Sequence, residues 1–146
     1  VLINKRKGCI FMGGISIGFD PENGVFVTSQ FEKDLVMNDD EKEIAEHFIV
    51  AIRAAAPAAP LSLEQRSFDY ISLCVGANDF LRFKYTPRAR WLSIDIIGLG
   101  VSPDDPRFIV QKNKNQRFWK AKIDNISNLS AFDDLVIASC CRNLKQ

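Results

Sequence analysis

Residues 68–97 read FDYISLCVGANDFLRFKYTPRARWLSIDII, and this stretch decides the fold. It predicts three consecutive β-strands joined by two tight connections, Gly76-Ala77-Asn78-Asp79 and Thr86-Pro87-Arg88. Within it the residues alternate strictly, the period-two signal of a sheet with two unlike faces. Leu81, Phe83 and Tyr85 fall on one side and read as core. Phe80, Arg82 and Lys84 fall on the other, an aromatic and basic set.

Toward the C-terminus, Gly98, Gly100, Pro103 and Pro106 mark a loop, after which Phe108-Ile109-Val110 resumes strand character. Lys112 to Gln116 is a polar basic turn. The next strand is expected over Arg117–Asp124, with Trp119, Ala121 and Ile123 alternating against Phe118, Lys120 and Lys122. Ser130 is placed to cap a helix running to about Arg142, with Asp133 and Asp134 suiting its positive end and Phe132, Leu135, Val136 and Cys140 facing inward.

On the N-terminal side, Pro57-Ala58-Ala59-Pro60 stops a helix expected over Asn38–Ala56. Asn38 and Glu41 have capping-box spacing, and Ile44, Phe48, Ala51, Ile52 and Ala55 form an apolar stripe. His47 borders that stripe beside Glu43 and Glu46, with no proton-transfer partner identifiable in the sequence. Earlier still, Gly8 to Gln30 reads as a hairpin turning at Asp20-Pro21-Glu22-Asn23-Gly24, where Asp-Pro and Asn-Gly supply turn chemistry. Gly8, Gly13, Gly14 and Gly18 match no phosphate-loop spacing and are expected to mark bulges or close backbone packing in its first strand. Val1 to Lys7 reads as a frayed start. The order is ββ-α-βββ-ββ-α. It predicts one α+β domain over residues 1–146, with a mainly antiparallel sheet of about five to seven strands and two helices on one face. A chain beginning at Val1 is also compatible with a piece of a longer protein.

The 47% hydrophobic and 25% charged residues place the chain among ordinary globular domains rather than disordered or membrane-spanning ones. No 18-residue apolar run occurs, so a membrane partner is not expected. Net charge is +1, but Arg82 to Lys122 holds 10 basic against 3 acidic residues, a concentration that bears on partners. Cys9, Cys74, Cys140 and Cys141 fit no zinc or C-x-x-C spacing and read as reduced structural thiols of a cytoplasmic protein. No cofactor or metal site is expected.

From Tyr70 onward, FLRFKYTPRARWLSIDI, the strand RFWKAKI and the helix opening NLSAFDDLV resemble a small bacterial family of unknown function whose members carry the label "predicted transport protein". The resemblance covers about half the chain and leaves out the first hairpin. It implies a cytoplasmic accessory domain of the kind found beside nucleic-acid-processing modules, and it carries over no catalytic residue.

The chemistry with most support is a nucleic-acid-binding sheet face, on which Phe80, Arg82, Lys84, Trp91, Phe118, Lys120 and Lys122 come together. Lys and Arg there neutralise phosphates and aromatic rings stack on unpaired bases. Arg88, Arg90, Lys112, Lys114 and Arg117 extend the track along one edge. The expected partner is single-stranded nucleic acid or another polyanion. Against this stand a merely solvated sheet face and a protein-interaction module built on the exposed aromatics. Catalysis has little to stand on. Asp69, Asp79, Asp95 and Asp124 begin no D/E-x-K triplet, no G-x-S-x-G occurs, and nothing basic is assigned to Cys9 or Cys141.

Overall fold

The first helix forms over Asp39–Ala55 (α1), and its start ties local structure to the sheet. Asn38 Oδ1 accepts the Glu41 N–H at 2.8 Å, while Glu41 Oε1 accepts the Asn38 N–H at 3.1 Å, a reciprocal capping box. The same side chains reach the sheet. Glu41 Oε2 accepts the Tyr85 N–H at 3.2 Å, and Asn38 Nδ2 donates to the Tyr85 carbonyl at 2.7 Å. At the other end Arg53 Nη1 donates to the carbonyls of Pro57 and Ala59, holding the proline-bounded connection. The buried stripe is Ile44, Ala45, Phe48, Ile49 and Ile52. Ala51 is only half-buried and Ala55 is exposed, so the inward face is centred nearer Ala45 and Ile49 than the periodicity alone indicated.

A computed structural model describes residues 10–12, 15–20, 25–29, 37–67, 69–109 and 116–145, with the backbone alone at 10–12, 15–20, 25–29, 66 and 67. Its strands are β1 (Ile10–Met12), β2 (Ile15–Asp20), β3 (Val25–Ser29), β4 (Leu61–Ser67), β5 (Tyr70–Val75), β6 (Asn78–Tyr85), β7 (Arg90–Asp95) and β8 (Phe118–Lys122). They form one sheet in sequence order. β4 to β8 is a five-stranded antiparallel meander. β1 to β3 continue the sheet beyond β4, and β3 runs parallel to β4 because α1 is the crossover between them. The result is an α+β fold, as the strand and helix order predicts.

Two local expectations at the N-terminal end change. β1 and β2 pair antiparallel with Met12 opposite Ile15, where one first strand from Gly8 was expected; Gly13 and Gly14, expected to mark bulges or close backbone packing, lie outside the described residues. β4 itself was not foreseen. Residues 1–9, the turn at 21–24, the segment 30–36 and the basic stretch 110–115 lie outside the described residues.

α1 and the C-terminal helix α2 (Asp133–Leu144) contact each other and both contact β6, so they share one face of the sheet. Under them lie Leu61, Leu63, Ile71, Leu73, Val75, Leu81, Phe83, Leu92, Ile94, Trp119 and Ala121, all buried. Cys140, on the inward side of α2, is fully buried, which pushes its thiol up to about 12, with the neighbouring Cys141 adding to the rise. α2 is preceded by a 3-10 helix, Ile126–Phe132, whose first turn is capped by Asn125 Oδ1 accepting the Ser127 N–H. Ser130 therefore sits inside that turn and caps nothing. Phe132 occupies the α2 N-cap position without a side-chain bond. The junction is held from outside by Arg107, whose Nη1 donates to the Ala131 carbonyl at 2.9 Å and to Asp134 at 3.1 Å.

Phe108 and Ile109 do not form the expected strand. Phe108 turns inward onto Trp119 and Phe132, and the neighbouring Ile109 N–H makes one bond to the Lys120 carbonyl beside β8. Val110 lies outside the described residues.

Candidate nucleic-acid interface

The face away from the helices is assembled by register. Residues directly opposite on neighbouring antiparallel strands share a side, about 5 Å apart, and successive rows on that side are about 7 Å apart along the strands. The first row is Lys84 on β6, Trp91 on β7 and Lys122 on β8. The second is Glu64 on β4, Ser72 on β5, Arg82, Ser93 and Lys120. The third pairs Asp95, the last residue of β7, with Phe118. Six of the expected side chains thus come together on one surface: Arg82, Lys84, Trp91, Phe118, Lys120 and Lys122.

Phe80 does not join them. Leu73 pairs with Leu81 but Cys74 pairs with Asp79, so β6 carries one extra residue at position 80. Such a bulge shifts the alternation by one. Phe80 is carried into the core at 0% exposure, and Asp79 takes its place near Arg82. The alternation of residues 81–85 was read through a position where the strand is not regular.

Phe118 requires a second correction. Expected as an open stacking platform, its ring is only 8% exposed, because Arg82 Cζ lies 3.8 Å and Arg117 Cζ 5.0 Å from its centroid. Each of these guanidinium groups is also held by a buried carboxylate. Arg82 Nε donates to Asp79 at 2.8 Å, and Arg117 Nε donates to Asp95 at 2.8 Å. Asp95 is fully buried and also receives Arg142 at 2.7 Å and Asn143 at 3.2 Å, both from the end of α2. Ser139 donates to its backbone carbonyl at 2.6 Å. This end of the face is a closed network of cations and acids.

The other end is open. Trp91 is half-buried, with Tyr70 at its edge (centroids 6.0 Å apart) and the Lys120 ammonium 4.3 Å from its ring. Lys122 is 73% exposed, and its nearest acid, Asp124, lies at 3.7 Å and is itself solvated. Lys84 is half-exposed, flanking Trp91 on the opposite strand.

The remaining cations scatter. Arg90 pairs with Tyr85 and by alternation belongs to the side of Leu92, where its guanidinium lies over the Tyr85 ring at 4.9 Å. Arg88 is exposed in the turn closed by the Thr86 N–H to Ala89 carbonyl bond. Lys112 and Lys114 lie outside the described residues. Of the expected edge track, the described residues place Arg88 and Arg117 at opposite ends and Arg90 on the other side.

On the helical side lies a pair the sequence did not reveal. His47 Nε2 and Asp133 Oδ1 are 2.7 Å apart, joining α1 to the start of α2. They border a shallow depression lined by Glu43, Glu46, Val50 and Ala51. That lining has no hydroxyl or thiol for the imidazole to activate, so the pair acts here as an interhelical tie. Nothing local signals it, because the partners are 86 residues apart.

Among the described residues no three His, Cys, Asp or Glu side chains converge in a metal-binding arrangement, and no helix is long and apolar enough to cross a membrane. Of the cysteines weighed as nucleophiles, Cys141 is half-buried and Cys9 lies outside the described residues. No family model matches the chain, and neither a curated protein nor a solved structure matches it.

Proposed function

We propose that this chain is a non-enzymatic accessory domain of the cytoplasm that binds single-stranded nucleic acid across the open end of its sheet. The observation that carries the reading is the first row: an indole between two lysines on three adjacent strands, with a third lysine over its ring. Ammonium groups neutralise backbone phosphates and release counterions, while a half-exposed ring gives a base something to stack on regardless of its identity. Lys84, Trp91, Lys120 and Lys122 are the contacts, with Arg88 beyond the β6–β7 turn. The described cysteines are thiols, in keeping with a reducing compartment.

The test is retention of a labelled single-stranded oligonucleotide by the intact protein as salt is raised. Affinity should fall steeply with salt. Replacing Lys84, Lys120 and Lys122 together by Ser should lower the logarithmic salt slope by about 2. A parent protein that binds nothing at low salt, or a folded triple variant with an unchanged slope, removes the proposal. Binding of a protein partner through Trp91 and Tyr70 would instead respond little to salt.

A further inference from the structure

At the closed end of the same face, the cation network is incomplete in a specific way. Arg82 donates through Nε to Asp79 and lies with its Cζ 3.8 Å from the Phe118 centroid and 5.3 Å from that of Tyr70. Neither its Nη1 nor its Nη2 has an acceptor among the described residues. Arg117 donates through Nε to Asp95 and through Nη2 to the Asp79 carbonyl at 3.0 Å, which leaves Nη1 in the same state. Both guanidinium carbons therefore lie within 5.0 Å of one point, the centre of the Phe118 ring.

Two like charges so close repel unless each is offset. Arg142 also ends on Asp95, so among the described residues three guanidinium groups share the carboxylates of Asp79 and Asp95, with Glu64 a further acid across Ser72 from Arg82. A further polar atom nearby is unsatisfied: Ser72, directly opposite Arg82 on β5, is fully buried and its Oγ has no hydrogen-bond partner among the described residues. Lys120 stands in the same row, beyond Ser93.

We propose that Arg82 and Arg117 form a binding site for one phosphate group beside the Phe118 ring, distinct from the lysine row. Guanidinium edges are planar donor pairs matched to oxyanions, and here each is fixed by a carboxylate and an aromatic ring, so little ordering remains to be lost on binding. A single carboxylate has two oxygens for these two separated donor edges and an adjacent hydroxyl. Inorganic phosphate or a phosphomonoester brings three or more acceptor oxygens and a charge near −2, which suits the donor count. The site uses none of the residues assigned to the strand contacts above, and it stands or falls separately from them.

The experiment titrates the intact protein with inorganic phosphate at constant ionic strength, with chloride as the control, following the Arg82 and Arg117 Nε–H resonances. Saturable shifts of both in phosphate and none in chloride are expected. Arg82→Lys keeps a cation beside Asp79 but loses the planar fork, and it should weaken phosphate about tenfold, whereas Lys84→Ser should leave the affinity unchanged. No saturable shift in the folded parent, or parental affinity in folded Arg82→Lys, overturns the site. Should Arg82→Lys unfold, Arg117→Gln provides the same reading, since that side chain is 47% exposed. Displacement of phosphate by a 5′-phosphorylated oligonucleotide but not by its unphosphorylated form identifies a strand end as the source. Displacement by neither leaves a free or small-molecule phosphate. Phosphate shifts that persist in a protein unable to retain oligonucleotides would sink the nucleic-acid reading and spare this one.

Discussion

The two ends of the exposed sheet face hold similar residues in opposite circumstances. Around Phe118, Arg82 and Arg117 are anchored by Asp79 and Asp95, two acids with almost no exposure of their own. Around Trp91, among the described residues, Lys122 meets solvated Asp124, Lys120 lies over the indole and Lys84 flanks it on β6. Arginine, planar and stacked, serves where a cation must be immobilised. Lysine, strongly hydrated on a flexible stem, serves where it must stay available. A count of positive charge over residues 82–122 treats these as one basic tract. Among the described residues, the structure divides it into a part fixed to buried acids and a part that stands in solvent.

The division is broken most severely at Asp95. Asp95→Ala strips the shared carboxylate from Arg117 and Arg142 and leaves Asn143 short of an acceptor. Removing one partner from a buried ion network costs about 3–5 kcal/mol. Urea unfolding should show a loss of that order. A loss below about 1 kcal/mol would mean the network is solvated and the two ends of the face do not differ as described.

How much of this arrangement the sequence discloses depends on whether the causes are local. The α1 cap is local: Asn38 and Glu41 are three residues apart, and both bonds form as their spacing predicts. Alternation in β7 and β8 is also local, and it places Trp91, Lys120 and Lys122 on one side. β4 was overlooked because only Leu61 and Leu63 are strongly apolar, although Gln65 continues their buried side against half-buried Ser62 and Glu64. Phe80 was misplaced because a bulge is set by pairing with β5, which sequence periodicity does not contain. The pairing of Asp95 with Arg142 spans 47 residues, so its burial, and with it the fate of Arg117, depends on the docking of α2. The open end was legible in the alternation, and the closed end was not.

Trp91 sharpens the comparison from the ligand side. Trp91→Ala should weaken single-strand binding by about 1–3 kcal/mol, the contribution of one stacked base, with the salt slope unchanged because no phosphate contact is lost. Competition titrations at two salt concentrations separate the two effects. A fall in slope would show that the ring positions Lys120, whose ammonium sits over it, rather than stacking on a base.

The lysines themselves should matter little to the fold. Each of Lys84→Ser, Lys120→Ser and Lys122→Ser is expected within about 0.5 kcal/mol of the parent in thermal or urea unfolding, as for surface substitutions without fixed partners. A larger loss at Lys120 would assign its contact with Trp91 to stability instead of binding.

The smallest expected effect tests whether anchored arginines behave alike away from this face. Arg107 donates from Nε and Nη2 to both carboxylate oxygens of Asp105 and reaches across to Ala131 and Asp134 at the start of α2. The hydrogen bond from Arg107 holds the Asp105 carboxyl below its usual range, against the opposing pull of burial. A carboxyl lowered on folding contributes stability that is complete above the ordinary carboxylate value near 4 and is lost as pH falls through the lowered one. Arg107→Gln should therefore be less stable than the parent at neutral pH, and the gap should close as both are acidified below about pH 4. A gap that stays constant down to pH 2 would assign the role of Arg107 to its bond with the Ala131 carbonyl, which does not titrate.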